Sequence, residues 1–79
     1  MTQINQDDND FRFIELEGTI LRETERALHV QIGYDDYWLP KSHVGRITYP
    51  AGDSREVRVG QEFEAIEMSW WLAGEKGLR

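Results

Sequence analysis

Between Ala27 and Val44 the chain reads ALHVQIGYDDYWLPKSHV, and no other stretch narrows the choice of folds as much. Leu28, Val30 and Ile32 are apolar with His29 and Gln31 between them, the period-two alternation of a half-buried strand. Gly33-Tyr34-Asp35-Asp36 follows with turn chemistry, because glycine tolerates positive φ and aspartate bonds its own backbone. Tyr37-Trp38-Leu39 supplies the bulk of a return strand, with Trp38 expected to be largely buried in the hairpin. Pro40 cannot donate to a ladder, so the strand ends there or lies at an edge. A polar corner, Lys41-Ser42-His43, leads out.

The flanks carry more of the same pattern. Ile14 and Leu16 alternate with Glu15 and Glu17, Gly18 interrupts, and Ile20-Leu21 resumes, which predicts one long strand bent at the glycine. Glu23-Thr24-Glu25-Arg26 is read as a turn in spite of its good helix formers, because the apolar spacing on both sides is two. Downstream, Gly45 to Tyr49 is a short strand, Pro50 to Ser54 a loop, and Arg55 to Val59 alternates again. Glu62 to Met68 forms the last strand with Ile66 and Met68 inward, and Phe63, on the other parity, asks for a twist or bulge. Ser69 caps a helix of about two turns from Trp70 to Lys76, ended by Gly77. About five short strands with a terminal helical turn predict an all-β chain, or β with one short C-terminal helix. The expected architecture is a small five-stranded SH3-like or OB-like barrel. It occupies residues 11–79, behind a disordered and dispensable acidic tail at residues 1–10.

The chain has 79 residues and no cysteine, so neither a disulfide nor a thiolate zinc site can staple it. Three Trp, three Tyr and three Phe must supply much of the core. No run approaches the roughly 18 apolar residues of a membrane span, and no signal-peptide pattern is present. A cytoplasmic protein with no membrane partner is expected.

Charge is distributed unevenly. Residues 1–40 hold nine carboxylates against three arginines, whereas residues 41–79 balance six against six. The whole net charge of −6 therefore sits in the first half. Phosphate binding needs a basic surface, so direct nucleic-acid binding is disfavoured and a basic protein surface becomes the expected partner. Glu15, Glu17, Glu23, Glu25, Asp35 and Asp36 are the candidate interface. The plain alternative is that the charge serves solubility.

Catalytic chemistry finds little footing. His29 and His43 have no cysteine to help them form a metal site, and adjacent Ser42 and His43 cannot present nucleophile and base to each other. The pairs Glu15/Glu17 and Glu62/Glu64 would need a deep pocket to split their pKa values, and read instead as solvated faces. No phosphate-cradling glycine loop exists, so no cofactor is implied. The aromatic residues are open to a second reading. Trp38, Trp70 and Trp71, with Lys41, Arg46, Arg55 and Arg58, would serve a barrel that stacks single-stranded bases, or they would simply close the core.

Two stretches resemble small phage- and prophage-encoded β-barrel proteins. One is Glu23 to Val44, with its acidic turn, alternating strand and Trp38-Leu39-Pro40-Lys41-Ser42 end. The other is Trp71-Leu72-Ala73-Gly74-Glu75-Lys76-Gly77-Leu78. The chain departs from that group in its longer acidic N-terminus and in Ser69-Trp70, where a proline and an acid are commoner. The resemblance implies a mobile-element origin, a non-enzymatic role in host-defence evasion of the anti-CRISPR kind, and no active site. Together with the charge, it leads to an acidic inhibitor occupying a basic, nucleic-acid-binding surface of a host protein. A single-stranded nucleic-acid binder and an oligomeric accessory protein are the alternatives.

Overall fold

The computed structural model describes residues 10–79. The expected tail lies outside the described residues except for Asp10, whose carbonyl accepts the Trp70 N–H at 2.8 Å. The chain runs β1 (Phe11–Ile14), β2 (Gly18–Glu23), β3 (Ala27–Ile32), β4 (Asp35–Pro40), a single 3₁₀ turn (Lys41–His43), β5 (Val44–Tyr49), β6 (Gly52–Ser54), β7 (Glu62–Phe63), β8 (Ala65–Ser69) and α1 (Trp70–Glu75). The strands form two antiparallel four-stranded sheets, in the orders β1–β8–β5–β6 (sheet I) and β4–β3–β2–β7 (sheet II).

The central hairpin forms as its pattern predicts, with a tighter turn. Ile32 pairs directly with Asp35, so only Gly33 and Tyr34 turn. Gly33 has φ +66° and Tyr34 does not have positive φ, the signature of a type II′ hairpin turn. Asp35 and Asp36 are therefore strand residues. Leu28 and Val30 are fully buried with Leu39 opposite, while His29 and Trp38 pair on the outer face. Trp38 is not core: it is 45% exposed. The reason is parity, because Leu39 takes the inward position and its neighbour must point away.

Eight strands stand among the described residues where about five were expected, because two predicted strands each split at a corner and Gly52–Ser54 adds one more. The first breaks at Glu15–Glu17, where the Leu16 N–H donates to the Ile14 carbonyl at 2.9 Å across a three-residue reversal. That reversal passes the chain from sheet I to sheet II. Gly18 is required just after it, since a Cβ there would strike the Gln31 carbonyl and the Phe63 ring. The extra residue in β2 sits at Leu21, between the pairs Ile20–Val30 and Arg22–His29, and not at the glycine. The second split is at Glu64. Phe63 is buried in sheet II, Ile66 and Met68 are buried in sheet I, and the parity clash between them marks the crossing.

Two further readings are corrected. Gly52–Ser54 is a strand pairing back on β5, and the alternating Arg55–Val59 is not a strand. That segment is instead tied to the core by Tyr49, whose hydroxyl donates to the Glu56 carbonyl at 2.7 Å and accepts the Arg58 N–H at 3.0 Å. The helix is as expected. Ser69 Oγ accepts the Leu72 N–H at 3.1 Å. At the other end Gly77, at φ +69°, lets Leu78 N–H reach the Ala73 carbonyl at 2.7 Å and Gly77 N–H reach Gly74 at 3.2 Å.

Candidate protein-binding surface

Two of the four crossings between the sheets, β1 to β2 and β7 to β8, lie at one end of the molecule, and each places acids there. Glu15 and Glu17 flank the first, Glu62 and Glu64 the second, and all four are exposed. Glu64 is fixed by its N–H, which donates to the Thr48 carbonyl at 2.7 Å. Its side chain stands between two open depressions. One, of about 380 Å³, is lined by Glu17, Glu62 and Glu64 together with Thr19, Gln31 and the Phe63 ring. The other, of about 400 Å³, lies on the outer face of sheet I and is lined by Phe13, Glu15, Thr48, Asp53, Glu64 and Ala65. No lysine or arginine lines either one. Among the described residues Glu15, Glu17, Glu62 and Glu64 have no ion-pair partner, and Asp53 accepts a hydrogen bond from Thr48 Oγ1 at 2.8 Å.

The six acids expected to form the interface are divided. Glu15 and Glu17 belong to this end, and Asp35 lies near it, because Ile32 pairs with both Gly18 and Asp35. Asp36 is engaged by His29, whose Nε2 lies 2.5 Å from its Oδ2. That hydrogen bond holds the Asp36 carboxyl below the usual aspartate value. Glu23 and Glu25 lie at the opposite end of the β2–β3 hairpin, and Glu23 is engaged by Lys41, whose Nζ donates to Glu23 Oε2 at 2.6 Å. Leu28, the partner of Glu23, is four residues from Ile32 on β3, about 13 Å at ~3.3 Å per residue.

The aromatic and basic candidates are not brought together. Trp38 stacks on His29 with centroids 4.4 Å apart and planes 7° from parallel, on the outer face of sheet II. Trp70 lies on α1 with the Arg12 and Arg79 guanidinium groups 4.5 and 4.8 Å from its ring. Trp71 is 42% exposed and tilts against His43. Arg46 is exposed at a bulge in β5, its N–H donating to Glu67 Oε1 at 2.9 Å. Arg58 covers the Tyr49 ring, and Arg55 lines a third, mixed-charge depression with Glu23 and Lys41.

One nucleophile–base geometry does exist, although not between Ser42 and His43. His43 Nδ1 lies 2.9 Å from Ser69 Oγ. Ser69 is 1% exposed and its oxygen already caps α1, so the pair clamps the helix to the 3₁₀ turn and offers no attacking group to a substrate. Sequence reasoning missed Asp53 and Phe13 as members of the acidic end, and read Glu62 and Glu64 only as a solvated face. The available signals were the parity break after Phe63 and the Pro50-Ala51-Gly52 turn, which together fold Asp53 and Glu64 toward Glu15. No helix among the described residues is long and apolar enough to cross a membrane. Compared with protein-family models, curated proteins and solved structures, the chain matches none.

Proposed function

We propose that this chain is a non-enzymatic binding protein whose acidic end occupies a basic, nucleic-acid-binding surface of a host protein in the bacterial cytoplasm. The observation that carries the reading is the Glu64 end, where five carboxylates line two adjoining depressions without a single cation. Such a surface attracts lysine- and arginine-rich partners and repels phosphate. Inhibition by charge imitation, in the manner of the phage-encoded proteins the sequence resembles, is the concrete form. The two sheets belong to the SH3-like or OB-like barrel type in this reading, which the short corners passing the chain from β1 to β2 and from β7 to β8 support. Nucleic-acid binding is the less favoured reading, because the cations that lie over Trp70 are Arg12 and Arg79 and not Lys41, Arg46, Arg55 or Arg58.

The test compares wild type with a variant in which Glu15, Glu17, Glu62 and Glu64 are all changed to Gln. A partner recovered from host lysate by the wild type should be lost by the variant and displaced from the wild type by added nucleic acid. Its association should slow as salt rises, since exposed charges are screened beyond roughly 8–10 Å. Tight wild-type binding to labelled single-stranded DNA, strengthened in the variant, would overturn the proposal.

A further inference from the structure

The outer face of sheet I carries a feature that charge alone does not require. Ile14, Ile47, Ile66 and Met68 point into the core, so Phe13, Thr48, Ala65 and Glu67 point out. Phe13 is 41% exposed on β1. Ala65, on the neighbouring β8, is small and only 8% exposed, and its short side chain floors the trough that Phe13 and Thr48 wall. Glu15, Asp53 and Glu64 rim that trough. The uncovered part of the Phe13 ring thus faces water beside three carboxylates.

We propose that this trough is the docking point for an arginine side chain of the basic partner, its guanidinium stacked on Phe13 and paired with the carboxylates of Glu15, Asp53 and Glu64. The inference rests on the acidic-binding reading and adds to it a site and a preferred residue. Charge complementarity selects a cation. The exposed ring selects arginine over lysine, because a planar guanidinium stacks on an aromatic face while presenting its donors in a fork that suits carboxylates. A compact, strongly hydrated ammonium satisfies the acids without using the ring.

The probes are a labelled oligo-arginine peptide and an oligo-lysine peptide of equal length and charge, titrated against the full chain at low salt. Wild type should prefer the arginine peptide. Phe13→Leu keeps apolar bulk and removes the ring, and should weaken arginine binding by about 2–5-fold, the size of an exposed cation–π contact, while leaving lysine binding nearly unchanged. Glu64→Gln should weaken both, and Glu75→Gln on α1 should weaken neither. Amide chemical shifts of the wild type with the arginine peptide should move at Phe13, Thr48 and Ala65, a readout that stands even where Phe13→Leu does not fold. Equal binding of the two peptides, an arginine preference that survives Phe13→Leu, or shifts confined elsewhere would overturn the docking point. Loss of binding in Glu64→Gln would meanwhile leave the acidic reading intact. Failure of either peptide to bind in a charge-dependent way would overturn both. Concentration-dependent shifts at Phe13 without peptide would assign the face to a second copy of the chain and overturn the proposal.

Discussion

An indole lying flat on an imidazole gives one face to its neighbour and keeps the other in water, and Trp38 does this on His29 at the open edge of sheet II. Its contribution is therefore that of a cross-strand aromatic pair, about 0.5–1.5 kcal/mol, and not the 3–5 kcal/mol typical of emptying a core. Trp38→Ala should remain folded, with a melting temperature lowered by no more than about 10 °C for a domain of this size. Collapse of the variant would show that the stack holds the hairpin together. Two strand residues away, Asp36 makes a second residue-scale prediction. Its carboxyl is held below the ordinary value of 3.8 by the hydrogen bond from His29. The unfolded chain therefore binds that proton more readily than the folded one, so the stabilisation is present above the ordinary value and is lost as pH falls through the folded one. Urea denaturation should show wild type losing more stability than Asp36→Asn between neutral pH and about pH 3. Equal losses would mean that the hydrogen bond contributes nothing to folding.

At the scale of elements, α1 is only six residues long and depends on its ends. Ser69 Oγ serves the Leu72 N–H and also meets His43, so one hydroxyl fixes both the start of the helix and the 3₁₀ turn beside it. Ser69→Ala should cost about 0.5–2 kcal/mol, seen as a lower urea midpoint with the fold retained. An unchanged midpoint would show that the Leu78 and Gly77 bonds at the far end suffice. These caps are legible in the sequence because they are local, and so is the β3–β4 hairpin, whose alternation and glycine lie within a dozen residues. The corners are less legible. Glu15–Glu17 and Glu64 look like strand until the parity of Phe63 is set against that of Ile66, and only the pairing of β8 between β1 and β5 decides which sheet each half joins. The acidic end inherits the same limit. Glu15 and Asp53 are far apart in the chain, and the charge census of residues 1–40 gathered Glu23 and Glu25 into a patch that the hairpin carries to the opposite end.

For the whole molecule, the chain crosses four times between the sheets, and two of these seams, at Glu15–Glu17 and Glu64, lie under the proposed partner. Local opening of a small domain follows cooperative units, and here the natural units are the sheets. A ligand lying across both seams ties those units together, because neither sheet can part from the other without releasing it. Amide hydrogen exchange should report this directly. With the arginine peptide bound, Val30 in sheet II and Ile66 in sheet I, both fully buried, should slow by a common factor although neither touches the ligand. Slowing confined to sheet I would mean that the seams open independently. A partner gripping this end would then act as a rivet between the sheets, coupling their opening at the two crossings it covers.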